Sequence, residues 1–161
     1  MSKDKKYYQI SDLYPLLQHP EKYKGKRPIQ MRSSWETKFA LKWLDININI
    51  IEWSSEEIII KYFNPIKNRN ARYFMDFSFK AKNKNGDIKE FWVEIKPSAE
   101  CTEPKKQTRI TKSYKYKIET YITNKAKWDA TENLCESLRQ QGKDITFMKV
   151  TEKDAPFFLR G

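Results

Sequence analysis

Histidine and cysteine are scarce in this chain. Its 161 residues include one histidine, His19, and two cysteines, Cys101 and Cys135. A usual structural zinc site takes four Cys or His ligands, so the chain cannot build one alone, and no zinc is expected. The same shortage argues against nucleases built on several histidines and against a Ser-His-Asp triad. Two cysteines set no disulfide framework and fit reducing surroundings. No stretch approaches about 18 apolar residues, and the N-terminus lacks the apolar core of a signal peptide. A membrane partner is therefore not expected. No internal repeat or linker divides the chain, so one domain is predicted over 1–161, with a basic lead-in over 1–30. Any hydrolytic chemistry must come from carboxylates and lysine.

What is abundant is positive charge. Thirty-two Lys and Arg against 21 Asp and Glu leave a formal net charge of +11, and aromatics make up 14% of the residues. Such a balance favours an anionic partner, nucleic acid or an anionic membrane surface, and the aromatics supply both core bulk and stacking surfaces.

The most informative stretch runs from Arg72 to Lys96. Tyr73, Met75, Phe77 and Phe79 alternate with Phe74, Asp76, Ser78 and Lys80, as along a strand. Phe91, Val93 and Ile95 alternate with Trp92, Glu94 and Lys96 in a second. Between them Asn85-Gly86 supplies the positive φ that a hairpin needs. A two-residue loop sets Asp76 opposite Ile95. A three-residue loop, Lys84 to Gly86 with the glycine left-handed, pairs Asn83 with Asp87 and sets Asp76 opposite Glu94. Only the odd loop puts both carboxylates on one face, because a one-residue slip turns every side chain over. The odd loop is the one expected here. Asp76, Glu94 and Lys96 can then hold a metal and a water, although Glu-x-Lys alone also describes any solvated strand face.

The lead-in is broken by Pro15, Pro20 and Pro28, with a short helix expected near Asp12–Gln18 and a basic loop over Tyr23–Arg27. Ser33 to Glu36 has the spacing of a capping box at the start of a helix running to about Leu44. Glu36 thus has a structural task open to it as well as a catalytic one. Trp35, Phe39 and Trp43 form a core stripe on that helix. Ile46–Trp53 alternates weakly towards a turn at Ser54-Ser55, and Glu57–Phe63 suits a buried central strand. Asn64–Arg72 reads as a loop. Thr102-Glu103-Pro104 is expected to open another helix, with Ile110, Tyr114, Ile118 and Tyr121 on one side. Lys105, Arg109, Lys112 and Lys115 cluster on the other as candidate phosphate contacts, or as a solvated face. Gln107 falls towards the apolar side. A further helix is expected over Lys125–Gln141, capped by Asn124, packed through Trp128, Leu134, Cys135 and Leu138, and stopped by Gly142. Ile145–Thr151 is read as the last strand.

Several clusters follow one another in a distinctive order: Arg32-Ser33-Ser34-Trp35-Glu36, Glu52-Trp53-Ser54-Ser55-Glu56-Glu57-Ile58-Ile59, Arg72-Tyr73-Phe74-Met75-Asp76-Phe77, Val93-Glu94-Ile95-Lys96-Pro97-Ser98, Lys127-Trp128-Asp129-Ala130, and Gly142 to Thr151-Glu152. Over about residues 23–152 this order resembles the head-completion nucleases of T-even-like tailed phages, which look like members of the PD-(D/E)xK nuclease superfamily. One departure is Met75, where the family has a proline before the aspartate.

The resemblance implies an α/β fold of mixed α+β character, a central mixed β-sheet flanked by helices as in restriction endonucleases. It implies metal-dependent hydrolysis of phosphodiesters in double-stranded DNA. Asp76 and Glu94 would ligate Mg²⁺, or Mn²⁺ in its place, with the backbone carbonyl of Ile95; Lys96 would orient or activate the water; Glu36 would complete the acidic site. Phage head or neck proteins are implied partners, and the host cytoplasm or the virion the place of action. Two other readings stay open. One is a virion head or neck protein with a relic site, whose basic surface seals packaged DNA. The other is a PD-(D/E)xK nuclease of transposon or repair type.

Overall fold

The computed structural model describes residues 10–159, so the first nine residues of the basic lead-in lie outside the described residues. Six strands follow in chain order: β1 (Ile50–Ser55), β2 (Ile59–Asn64), β3 (Arg69–Phe74), β4 (Phe77–Lys82), β5 (Ile88–Ile95) and β6 (Ile145–Val150). The two main helices are α1 (Ser34–Phe39) and α2 (Lys112–Gln140). A four-stranded sheet has the order β1-β4-β5-β6, and β2-β3 form a separate two-stranded sheet. β1, β4 and β5 are antiparallel neighbours, whereas β6 runs parallel to β5. A parallel return needs a crossover, and α2 provides it. The expected mixed sheet flanked by helices is thus present.

Two apolar clusters are built on this sheet. One joins α1 and the turn after it to the sheet through Phe39, Ala40, Leu44, Phe77, Phe79, Val93 and Ile95. The other joins α2 and the β2–β3 hairpin to it through Trp128, Cys135, Ile60, Tyr62, Tyr73, Met75 and Trp92. β5 alternates as expected, with Val93 and Ile95 in the first cluster and Trp92 in the second. The strand before it does not. Met75 belongs with the α2 cluster and Phe77 with the α1 cluster, so the chain changes sides at Asp76. The single strand expected from Arg72 to Lys80 is two strands with a break at Met75-Asp76.

The β4–β5 loop settles the register. Asn83 N–H donates to Asp87 O at 2.9 Å, Gly86 N–H donates to Asn83 O at 3.0 Å, and Gly86 has φ +84°. This is the three-residue loop with a left-handed glycine. Phe77 pairs with Val93, and the same count carried one residue back sets Asp76 opposite Glu94.

Other expectations change. Ser54-Ser55 belong to β1, where Ser54 Oγ lies 2.6 Å from Ser78 Oγ, and the turn falls at Glu56, φ 55°. The run Glu57–Phe63 is not a central strand. Its residues from Ile59 alternate exposed and buried in a hairpin, since Lys61 and Phe63 face water. Most of the expected loop 64–72 is the hairpin's return strand, because Asn64 Oδ1 accepts from Ile66 and Lys67 N–H and closes a tight turn. The helix near Asp12 shrinks to a 3₁₀ turn, Tyr14–Leu16, with Asp12 instead accepting from Ile29 N–H at 2.8 Å. The Tyr23–Arg27 loop is pinned by Tyr23 against Trp53 and by Arg27 over the Tyr14 ring.

The largest difference is at the C-terminal half. No helix forms at Thr102-Glu103-Pro104; α2 begins at Lys112, capped by Thr111 Oγ1 accepting from Tyr114 N–H. The segment 104–111 carries like charges and β-branched residues with only Ile110 as a large apolar side chain, too little burial to hold a helix turn. Ile110 is accordingly 78% exposed. From Lys112 the helix runs 29 residues without a second cap, and Asn124, expected to start a new helix, is buried within it. Leu134 turns outward, whereas Trp128 and Cys135 are buried. Gly142, φ +87°, ends the helix as expected.

Phe77 is fully buried, 5.3 Å from the Phe39 ring and 6.0 Å from Trp53 by centroids. Phe77→Ala is expected to lose about 3–5 kcal/mol of stability. A urea titration with an unchanged denaturant slope checks this, since the cost then belongs to the folded core.

Candidate active site

The four sequence-selected site residues come together around the break in the β3–β4 chain. Because the backbone changes sides at Asp76, its carboxylate can be reached from both flanking layers. Its Oδ2 accepts the N–H of Ile95 at 2.8 Å, which ties the break to the end of β5. Its backbone oxygen accepts from Glu56 N–H at 3.2 Å, and Met75 N–H donates to Ile58 O. Among the described residues, Asp76 Oδ1 accepts no hydrogen bond.

Glu94 lies on the α2 face of β5 and is 5% exposed. Its Oε1 is 3.2 Å from Lys96 Nζ, two residues along the same strand face, and its Oε2 accepts from the indole N–H of Trp128 on α2. Glu36 arrives from α1. Ser33 Oγ accepts from Glu36 N–H at 3.2 Å, the serine half of the expected capping box, while Glu36 Oε2 accepts from Arg32 N–H at 3.1 Å, one residue before the N-cap N–H. The same carboxylate also acts on Asp76. Burial first, and the Glu36 charge second, push the Asp76 carboxyl well above the ordinary range, against the pull of the Ile95 N–H. Burial likewise pushes Glu36 upward, with Glu56 adding to it. The cap and the site do not exclude each other: one side chain serves both neighbours.

Lys96 stays an ammonium. Burial alone would favour its neutral form, but the charge and hydrogen bond of Glu94 more than offset that and raise its pKa. A lysine held this way donates hydrogen bonds and positive charge rather than accepting a proton.

The donors are all oxygen, and two of the three acids are raised by burial and by like charge, a combination that a hard divalent cation relieves. Among the described residues no three acidic, His or Cys side chains close into a ready cage. Mg²⁺ is usually held by one or two carboxylates with water and substrate completing the octahedron.

The basic residues expected to form a helical stripe do not share a helix. Lys105 and Arg109 lie in the irregular segment before α2, and Lys112 and Lys115 on its first turn. All four are exposed, as is Gln107, which lines a cavity of about 540 Å³ between that segment and α2. His19 is exposed beside Glu21. Four other residues at the site carried no site role from sequence: Glu56, Tyr73, Lys127 and Trp128. Trp128 was legible only as core, since nothing in its spacing says that its N–H meets Glu94. Ser98 and Glu152 prove structural, with the Ser98 N–H and hydroxyl both donating to the Glu152 carboxylate and tying the end of β5 to that of β6.

Residues 47–152 match the family described as TnsA-like endonuclease, N-terminal. The chain belongs to that family. Over 136 residues it is also 38% identical to the head completion nuclease of Enterobacteria phage T4, an alignment covering 81% of this chain and 84% of that protein. The resemblance to head-completion nucleases is thereby borne out, and with the TnsA-like match so is the restriction-endonuclease-like class of the fold. No solved structure matches the chain. The family match takes in Asp76, Glu94 and Lys96 and leaves Glu36 before its start.

The raised Asp76 carboxyl makes a pH prediction for the cation-free protein. The groups facing it are Glu36 from α1 and Glu94, Lys96 and the Ile95 N–H from β5. The folded state holds this proton more tightly than the unfolded chain, whose aspartate titrates near about 4. Stability therefore falls as pH rises from there through the folded pKa, and levels off above it. Asp76→Asn is expected to flatten this slope and to melt above the wild type at neutral pH in EDTA, with Glu36 leaving a residual slope of the same sign. Melting curves across pH for the two proteins check it.

Proposed function

We propose that this chain is a divalent-metal-dependent endonuclease that hydrolyses phosphodiester bonds of double-stranded DNA during completion of phage heads. The observation that carries the reading is the convergence of Asp76, Glu94 and Lys96 at one break in the sheet, with Glu36 adding charge from the first helix. Asp76 and Glu94, with the backbone carbonyl of Ile95, would hold Mg²⁺, or Mn²⁺ in its place. The bound ion supplies charge compensation on the phosphate and acidifies a water. Lys96 keeps its proton, so it orients that water and stabilises negative charge on the phosphate. Glu36, with its raised affinity for a proton, sits where it can accept a hydrogen bond from water or share the ion's outer shell.

The exposed Lys105, Arg109, Lys112 and Lys115 serve as backbone contacts along the duplex rather than base readers. The +11 net charge supports the same partner. We place its action in the host cytoplasm during infection, or on the virion, with phage head or neck proteins as partners. Among the described residues no helix is long and apolar enough to cross a membrane.

Plasmid cleavage with and without Mg²⁺ tests the activity. The wild type is expected to cut only with the metal, and Asp76→Ala not to cut. Mg²⁺ is further expected to raise the melting temperature of the wild type and leave that of Asp76→Asn unchanged. A wild type indifferent to Mg²⁺ in both assays returns the site to a relic in a structural protein. Glu36→Gln keeps the cap and removes a carboxylate held against burial and like charge, so it is expected to melt at or above the wild type and lose most of its cleavage.

The basic segment has its own test. Reversing Lys105, Arg109 and Lys112 to Glu is expected to weaken duplex binding whatever the sequence. The slope of log affinity against log salt should shrink by about 0.9 for each phosphate that the protein no longer neutralises. An unchanged slope makes these residues a solvated surface.

A further inference from the structure

Lys127 is a half-buried lysine one residue before the tryptophan that holds Glu94. Its Nζ lies 5.3 Å from the ring centroid of Tyr73 and 5.9 Å from that of Tyr62. Those tyrosines are diagonal neighbours on the inner face of the β2–β3 hairpin, where Ile60 pairs with Tyr73 and Tyr62 with Ala71. The ammonium is therefore held between α2 and the hairpin, resting on aromatic faces. Among the described residues it has no ion pair and no hydrogen-bond acceptor, although it lies in the field of Glu94 and Asp76. Glu94 is already engaged by Lys96 and Trp128.

A second observation comes from the hairpin. Tyr73 is 5% exposed, and its buried hydroxyl makes no hydrogen bond of normal geometry, though it faces Glu94. Burial first, then the Glu94 and Asp76 charges, raise its pKa, so it remains a neutral donor. The acceptor it faces is the Glu94 carboxylate, already held by Lys96 and Trp128, so the hydroxyl can turn to a further acceptor brought beside it. Burial also lowers the pKa of Lys127, with Glu94 pulling it up and Lys96 pushing it down. An anion brought next to it would favour the charged form.

The two groups come from different elements, both can donate, and both lie in the field of the same two carboxylates. Their complement is an anion rich in acceptors that is already drawn to the cation site, which is a phosphodiester. We propose that Lys127, supported by the Tyr73 hydroxyl, holds the non-bridging oxygens of the phosphate being cleaved, as a second cation of the active site beside Lys96. This rests on the nuclease reading. It places the scissile phosphate between α2 and the end of β5, so that helix and hairpin together form one wall of the substrate groove. The alternative is that Lys127 only balances the Asp76 and Glu94 charges, in which case its loss shows in stability and Mg²⁺ affinity rather than in rate.

Single-turnover cleavage of a short duplex by K127M, K127R and Y73F, with Mg²⁺ saturating, separates the two. Methionine keeps the apolar stem on the tyrosines and removes the charge. K127M is expected to slow cleavage about 10²–10³-fold, the loss typical of one preorganised donor to developing charge. Its melting temperature and Mg²⁺ affinity should match the wild type. K127R should retain cleavage to within about tenfold, and Y73F should fall between the two. Duplex binding in EDTA should lose up to about 0.9 from the salt slope in K127M. The proposal is overturned if K127M cuts within about threefold of wild type. It is overturned equally if the loss of rate tracks a fall in melting temperature or in Mg²⁺ affinity. A wild type that does not cut with any added divalent metal removes the nuclease reading instead. The salt slope then decides alone, and an unchanged slope in K127M overturns the phosphate contact.

Discussion

The bond between Asp76 Oδ2 and the N–H of Ile95 fixes the relation between the two halves of the molecule. It closes the gap left where the chain stops being a strand and starts again. Without a side chain able to accept there, the end of β5 would lose a partner and the two apolar clusters would meet without a defined offset. Met75 fills the α2 cluster and Phe77 the α1 cluster, both fully buried, so neither can move to repair a slip. The same geometry that lets the backbone change sides delivers one carboxylate to both layers. Glu36 reaches it from α1 and Glu94 from the α2 face.

That arrangement is electrostatically costly. Burial and Glu36 both act against the charged form of Asp76, with only the Ile95 N–H and Lys96 in its favour. Glu94 is better served, held by Lys96 and Trp128. The site is therefore unevenly compensated, with its missing positive charge located at Asp76 and Glu36. Glu56 adds to the strain from a left-handed backbone conformation, an unfavourable setting for a non-glycine residue. Such concentrations of unfavourable terms belong where a ligand supplies the balance. Elsewhere among the described residues, two buried charged groups are hydrogen-bonded to backbone: Lys38 Nζ donates to Phe158 O, and Asp45 accepts from the N–H groups of Gln18 and His19.

The β2–β3 hairpin and α2 complete the picture from the other side. The hairpin has no ladder to the main sheet and is held to it by side-chain packing against α2. Two of its inward residues are tyrosines, which bring hydroxyls into an otherwise apolar contact. Lys127 enters the same contact from the helix. A hairpin anchored by side chains and carrying polar groups next to the carboxylates is suited to forming one wall of a groove, while the exposed basic residues before and at the start of α2 extend that surface.

Sequence alone determined what local chemistry controls. Asn85-Gly86 allowed only a few loops, and the demand that both carboxylates share a face selected the odd one that is present. Ser33 to Glu36, Gly142 and the alternation of β5 could be read directly, because caps, positive φ and a two-residue period are local properties. The acids and lysine of the site were legible through their order along the chain. Tertiary structure decided the rest. The β-branched run after Glu57 looked central, yet became half of a hairpin, because the partner that pairs with it lies in a stretch that reads as loop. The expected helix at Pro104 failed for want of an apolar face, and α2 instead ran unbroken past Asn124, since packing of Trp128 and Cys135 against the sheet outweighs a weak interior cap. Whether Glu36 touches only its own helix start, or Asp76 as well, could not be read from spacing. The break at Asp76 and the approach of α1 to it bring them together, and both depend on two cores filling from opposite sides of one sheet.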